Sequence, residues 1–328
     1  MSINYLPIVL IGFLAGTLFV FFLKKLALKY KLLILQGIPL VGGMGMWLSF
    51  ILMCLFGFSL YGSLSNEAIG IIISSLIMLI FGVIDDWREL SIMAKFLVQI
   101  VAISFLIFFE IRTRIVYIGD LFNIIITFIW VIGITNAFNH LDVMDGLASG
   151  TAIIISFTFF IISLLNSDIK SAILSLSLAV TSFSFLIYNL PPARVYMGNS
   201  GSHFLGFVLA AIALIINYAP LERKVALISP LLILGLPIFD TAFLILMRVG
   251  KKRLPFKKSN DHLPLRFLAL GYSKKKTLLA MFAWCVFFCL CGIIVSQVAN
   301  SSGIVIIVIV VLASLILAKK MSKVTIDG

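Results

Sequence analysis

Two adjacent carboxylates open a short polar run, Asp85-Asp86-Trp87-Arg88-Glu89-Leu90-Ser91, with Lys95 and Gln99 about one helical turn apart just beyond it. Neighbouring acids repel unless they share a proton or a divalent cation, which suits general-base or Mg2+ work on phosphates. The same run also fits solvated charges capping a helix, and its composition leaves both readings open. A second cluster places Asn136, Asn139, Asp142 and Asp145 at intervals of three. On a helix each such step drifts by about 60°, so the four cover about half the circumference as a polar wall. A seam of interhelical hydrogen bonds would account for the asparagines, but the two carboxylates exceed what a seam needs. His140 alone carries no signal.

In the third cluster Pro191 and Pro192 stop one helix, and Gly198, Ser200, Gly201 and Ser202 lead into the next apolar run. Free N–H groups at a helix start make a natural phosphate site, although an ordinary connector reads the same way. Gly37 to Gly43, Asp240-Thr241 and Asp261-His262-Leu263-Pro264-Leu265-Arg266 each read as a turn or a helix end. Asp240 is the exception, because it lies inside an apolar run and needs a partner; Lys95 is the expected one.

These clusters punctuate a chain that is otherwise apolar. Of 328 residues, 62% are hydrophobic and 12% charged, about half the charged fraction of a soluble domain, so membrane helices must position them. Runs long enough to cross about 30 Å of hydrocarbon predict eleven spans, near 5–23, 43–61, 68–84, 94–109, 121–138, 148–165, 171–189, 202–217, 226–247, 276–297 and 303–318. The expected fold class is an all-α polytopic membrane protein with its termini on opposite sides.

Nineteen of the 25 Lys and Arg residues fall in the C-terminal tail or in loops after odd-numbered spans, five fall after even-numbered ones, and Lys95 lies within a span. Positive charge stays inside, which predicts an external N-terminus and a cytoplasmic C-terminus. The loops 24–42, 85–93, 139–147, 190–201 and 248–275 then form one cytoplasmic active face on a single domain, 1–328. No cleaved signal peptide is expected, since the first apolar run has no basic residue before it and no small-residue cleavage site after it.

The net charge of +12 is explained by anchoring at membrane edges, so nucleic acid is not an expected partner. Cys54, Cys285, Cys289 and Cys291 fall within spans, which predicts neither a disulfide framework nor a Cys-rich zinc site. A transporter would place polar residues at mid-membrane in several spans, whereas here they gather at one interface.

Taken in order, the segments resemble the polyprenyl-phosphate N-acetylhexosamine-1-phosphate transferases. The resemblance runs from about Gly37 to Gly271 and rests on Pro39 with Gly42-Gly43; Asp85-Asp86 through Leu90-Ser91, Lys95 and Gln99; Asn136, Asn139, Asp142 and Asp145-Gly146-Leu147-Ala148. It continues through Tyr188-Asn189, Pro191-Pro192-Ala193-Arg194, Met197-Gly198, Gly201-Ser202, Asp240-Thr241, and His262 with Arg266. The chain departs from the family pattern in three places. Asn199 stands where the family has Asp, a principal Mg2+ ligand; Val143 replaces a Gly; and Pro264 and Leu265 stand where the family's His-Leu-His-His-Arg motif has its second and third His.

The resemblance implies that a lipid phosphate oxygen attacks the β-phosphorus of a UDP-N-acetylamino sugar and releases UMP. Undecaprenyl phosphate in a bacterial inner (cytoplasmic) membrane is the implied acceptor, and initiation of O-antigen or another cell-envelope polysaccharide the implied role. It implies Mg2+, with Mn2+ as a substitute, held by Asp86, Asn139 and Asn199. Asp85 would activate the lipid phosphate, while Asp142 and Asp145 would position the nucleotide or metal-bound waters. Asn136, Asn139, Arg194, Gly198, Ser200, Gly201, Ser202, His262 and Arg266 would bind substrate. A membrane scaffold without activity is the alternative that Asn199 and the reduced histidine motif raise. The sequence names neither the sugar nor the oligomeric state, a homodimer included.

Overall fold

The computed structural model describes residues 4–220, 222–252 and 260–326. Arg253, Lys257 and Lys258, counted above by side of the membrane, lie outside the described residues. The chain divides into two compact units, 1–217 and 218–328.

The first unit runs α1 (Leu6–Tyr30), a hairpin of β1 (Ile34–Leu35) and β2 (Ile38–Pro39), α2 (Gly42–Tyr61), α3 (Asn66–Trp87), α4 (Ile92–Phe108), α5 (Gly119–Leu141), α6 (Leu147–Leu165), α7 (Ile169–Asn189) and α8 (Gly198–Ile215). The second has a 3-10 turn (Lys224–Ile228), α9 (Ser229–Ile233), α10 (Gly235–Gly250), α11 (Leu263–Ala269), α12 (Lys274–Gln297) and α13 (Asn300–Ser322).

Every apolar run read from the sequence falls on helix. Among the described residues, nine helices are long and apolar enough to cross a membrane. The run at 226–247 is broken by a 71° bend between the Lys224–Ile233 and Gly235–Gly250 segments, and α4, at 17 residues, is a shorter apolar helix. Membrane spanning is therefore a multi-pass, all-helical arrangement, with the fourth and ninth expected spans differing from simple rods.

Loop boundaries also shift. Residues 24–30 continue α1, because Leu, Lys and Ala are good helix formers and nothing breaks the helix until Lys31 turns left-handed at φ 53°. Residues 85–87, 139–141, 198–201 and 248–250 are likewise helical, so most of the expected loop chemistry sits on the last or first turn of a helix.

In the first unit α7 is deeply enclosed by α1, α2 and α6 and buries Ser175, Ser177, Thr181, Ser182 and Ser184 along its length. Small hydroxyl residues let helix backbones approach closely where lipid supplies no hydrophobic drive between helices. The start of α8 packs on α3 at closer range still. A Cβ added to Gly82 would lie 2.3 Å from the Ser200 Cα, so this backbone-to-backbone seam accepts no side chain.

Candidate active site

The polar groups of the first unit meet at one end of its helices. Asp86, in the last turn of α3, accepts the Asn199 N–H at 2.6 Å and the Ser200 N–H at 3.0 Å. It therefore caps the N-terminus of α8 from another helix, where two of the unsatisfied amides and the positive end of the dipole lie. Gly198 makes this fit possible: its φ is +72°, and a Cβ there would lie 2.5 Å from Asp86 Oδ2. Of the phosphate cradle expected at Gly198, Ser200, Gly201 and Ser202, the Asn199 and Ser200 amides hold a carboxylate of the chain itself.

Asp85 is buried, with Oδ1 accepting the Leu90 N–H at 2.8 Å and Oδ2 paired to Lys95 Nζ at 2.6 Å. Both oxygens are engaged, and the carboxylate fixes Lys95, which remains partly exposed at the start of α4. This also corrects the partner expected for Asp240. In the second unit Asp240 takes His262 Nδ1 at 3.0 Å and the Leu263 N–H at 2.8 Å.

The second cluster splits by function. Asn136 and Gln99 exchange amide hydrogen bonds at 3.2 and 3.3 Å, and Asn136 also donates to the Ile132 carbonyl. This is the interhelical seam that asparagine often makes. Asn139 instead reaches α8, donating from Nδ2 to Asn199 Oδ1 and to Ser202 Oγ, both at 3.0 Å. Asp145 accepts the Ala193 N–H at 3.2 Å, which joins the turn after α5 to the turn after α7.

Asn189, which the resemblance includes without giving it a role, is a positioning residue. Its Oδ1 accepts from the Gly146 N–H and the Ser149 hydroxyl, and its Nδ2 donates to the Val195 carbonyl, so one buried amide holds both turns. Arg194 is exposed, with its backbone N–H on the Tyr188 carbonyl.

Asp142 lies just past the end of α5 and accepts no hydrogen bond among the described residues. Burial, aided by the charges of Asp86 and Asp145, pushes its carboxyl from the ordinary 3.8 up to about 7. A raised carboxyl disfavours the folded ionised form. The cost is absent below about pH 4, grows toward pH 7 and is full above it. Asp142→Asn should therefore raise the melting temperature of purified protein in EDTA at pH 8 and leave it nearly unchanged at pH 4.5. The gain should be on the order of 1–3 kcal/mol, because partial access of solvent discounts the shift. A gain equal at both pH values would show that ionisation is not its source.

A divalent cation beside Asp142 would offset that same cost. Asp86, Asp142 and the Oδ1 of Asn139, which accepts no hydrogen bond among the described residues, are the oxygens that fit one. No three His, Cys, Asp or Glu side chains among the described residues are grouped to hold an ion. An ion here would depend on few protein oxygens and on substrate phosphates, as Mg2+ commonly does.

In the second unit Arg266 is 1% exposed. Its guanidinium donates to Asp261 Oδ1 at 2.8 Å, to the Met321 carbonyl at 2.8 Å and to the Val324 carbonyl, and lies over the Phe243 ring. With Lys251 also on Asp261 at 2.7 Å, Arg266 belongs to an internal network.

Residues 68–217 match the model of glycosyl transferase family 4. A Bacillus subtilis protein named "Probable undecaprenyl-phosphate N-acetylglucosaminyl 1-phosphate transferase" is 30% identical over 259 residues, covering 76% of this chain and 72% of that protein. A Thermotoga maritima undecaprenyl-phosphate alpha-N-acetylglucosaminyl 1-phosphate transferase is 31% identical, covering 67% and 68%. A phospho-N-acetylmuramoyl-pentapeptide-transferase of Caldicellulosiruptor bescii is 28% identical, covering 80% and 84%.

Proposed function

Because the chain belongs to glycosyl transferase family 4, we propose that it transfers an N-acetylhexosamine-1-phosphate from a UDP-sugar to undecaprenyl phosphate and releases UMP. The observation that carries this reading is the convergence of Asp86, Lys95, Asn139, Asp142, Asp145 and Asn199 at one end of the helices in the first unit. An enzyme that works on a lipid headgroup needs its polar residues at that level, whereas a transporter needs them along a path through the spans.

In the reaction, an oxygen of the lipid phosphate forms a bond to the sugar-bearing β-phosphorus. The bond from that phosphorus to the bridging oxygen breaks, and the electron pair leaves on UMP. A phosphate monoester already carries most of its second charge near pH 7, so no side chain has to remove a proton from it. What the two anions need is positive charge and hydrogen-bond donors. Lys95, held in place by Asp85, supplies a cation, and Arg194 supplies a second from an exposed turn.

Mg2+, or Mn2+ in its place, would be held by Asp86, Asn139 and Asp142 and would offset charge on the transferring phosphoryl group. Asp145 and Asn189 hold the two turns in register, and Ser202 orients Asn139. His262 is a proposed sugar or diphosphate contact. UDP-N-acetylglucosamine is the proposed donor. The product would begin an O-antigen or another cell-envelope polysaccharide at the inner membrane.

Purified protein with undecaprenyl phosphate and UDP-N-acetylglucosamine should release UMP in step with lipid-linked sugar. Lack of release with every UDP-N-acetylamino sugar would leave the scaffold reading. The proposed orientation makes a separate prediction. A reporter inserted at 166–168 should behave as external and one fused after residue 326 as cytoplasmic, and the reverse pattern would put the site on the face without nucleotide sugars.

A further inference from the structure

The hydrogen bonds around Asn139 fix which end of Asn199 faces the site. The Ser202 hydroxyl is within reach of the Gly198 carbonyl at 3.2 Å and the Asn199 carbonyl at 3.5 Å, so a main-chain acceptor is available for its hydrogen. Its Oγ accepts from Asn139 Nδ2 at 3.0 Å. That same Nδ2 meets Asn199 at 3.0 Å, where the partner atom must be an acceptor, the Asn199 Oδ1. The Asn199 carbonyl oxygen is therefore turned toward Asn139 and engaged, and its NH2 group is turned away, with no acceptor among the described residues.

Two further facts define what that NH2 group faces. The Asn199 and Ser200 N–H groups, the usual anion donors of a helix start, are already taken by Asp86. Asn199 itself is only partly buried. The side-chain NH2 is thus a donor that the first turn of α8 still offers.

We propose that Asn199 acts as a hydrogen-bond donor to a phosphate oxygen of the nucleotide-sugar diphosphate, and not as a ligand of the divalent cation. The proposal rests on the transferase reading above and names how one position of that site meets its substrate. It reverses the polarity that the family pattern gives this position, since a carboxylate can only accept. Ser202 and Asn139 act as positioning residues that hold the amide in this sense.

The test separates the donor from the cation in the absence of turnover. Wild type, Asn199→Leu and Asn199→Asp would be compared for Mn2+ affinity by electron paramagnetic resonance without substrate, and for UDP-N-acetylglucosamine affinity by calorimetry. Loss of a donor to a charged group should weaken the nucleotide sugar by about tenfold or more in Asn199→Leu, with Mn2+ affinity unchanged. Asn199→Asp should weaken the nucleotide sugar as well, because it places a negative oxygen where the donor was.

The proposal is overturned if Asn199→Leu loses Mn2+ affinity, or if Asn199→Asp binds the nucleotide sugar more tightly. Unchanged binding of both probes in Asn199→Leu overturns it too. Failure of the transferase reading looks different: wild type would bind Mn2+ yet neither bind any UDP-N-acetylamino sugar nor release UMP, and the donor role would fall with it.

Discussion

Asp86→Asn should lower transfer by about a hundredfold or more while the protein still inserts into membranes. Each oxygen of Asp86 receives one backbone N–H of α8. An amide has one acceptor oxygen, so its NH2 must be set against the other N–H. The clash orphans a donor in a part-buried place at a cost of about 1–3 kcal/mol, and it removes the negative charge from the positive end of the helix. The first turn of α8 then moves, and with it Asn199 and Ser202. A misplacement of about 1 Å near reacting groups costs about a hundredfold in rate. UMP release at saturating substrates measures the effect, and the melting temperature in detergent separates it from general unfolding. Turnover within threefold of wild type would remove Asp86 from the proposed machinery.

Lys95→Met should be the more destabilising change. Its ammonium lies 2.6 Å from an Asp85 oxygen whose side chain is 0% exposed. Removing one partner of a buried pair leaves the other charge without compensation, at a cost of about 3–5 kcal/mol. The methionine also takes away the cation proposed to meet the phosphates, so transfer should fall below detection. The double variant Asp85→Leu with Lys95→Met discriminates between the two losses, because it removes both charges: stability should largely return and activity should not. A single variant that melts like wild type would mean that the pair contributes nothing to the fold. A double variant that regains transfer would mean that Lys95 serves only Asp85.

Much of the fold was legible because apolar run length is a direct constraint of the bilayer, and Pro191, Pro192 and the polar turns mark where runs stop. The broken segment around Leu234 was not legible. Its residues are as apolar on both sides of the bend as within a straight span, so hydropathy carries no trace of it. The short hairpin at 34–39 was reachable in principle: Gln36 and Gly37 both have positive φ, as a two-residue hairpin turn requires.

In the site, the residues could be picked out by type but not by partner. Asp85 and Asp86 are chain neighbours with opposite fates, one paired to Lys95 and the other to a helix N-terminus. Periodicity says only that they point in different directions. Asn136 and Asn139 divide in the same way, one into a seam with Gln99 and the other onto α8. Lys95 was matched to Asp240 because both were charges within apolar runs, yet each had a nearer solution in its own unit.

The clasp on Arg266 bears on how the second unit is made. Its guanidinium is satisfied by the carbonyls of Met321 and Val324, at and just past the end of α13. During synthesis those carbonyls leave the ribosome well after Arg266 and Asp261. Until they emerge, Arg266 lacks both of these acceptors. The unit therefore closes only once the end of α13 has been made, and a nascent chain arrested before residue 319 should expose the α11 region to protease while the first unit is already protected.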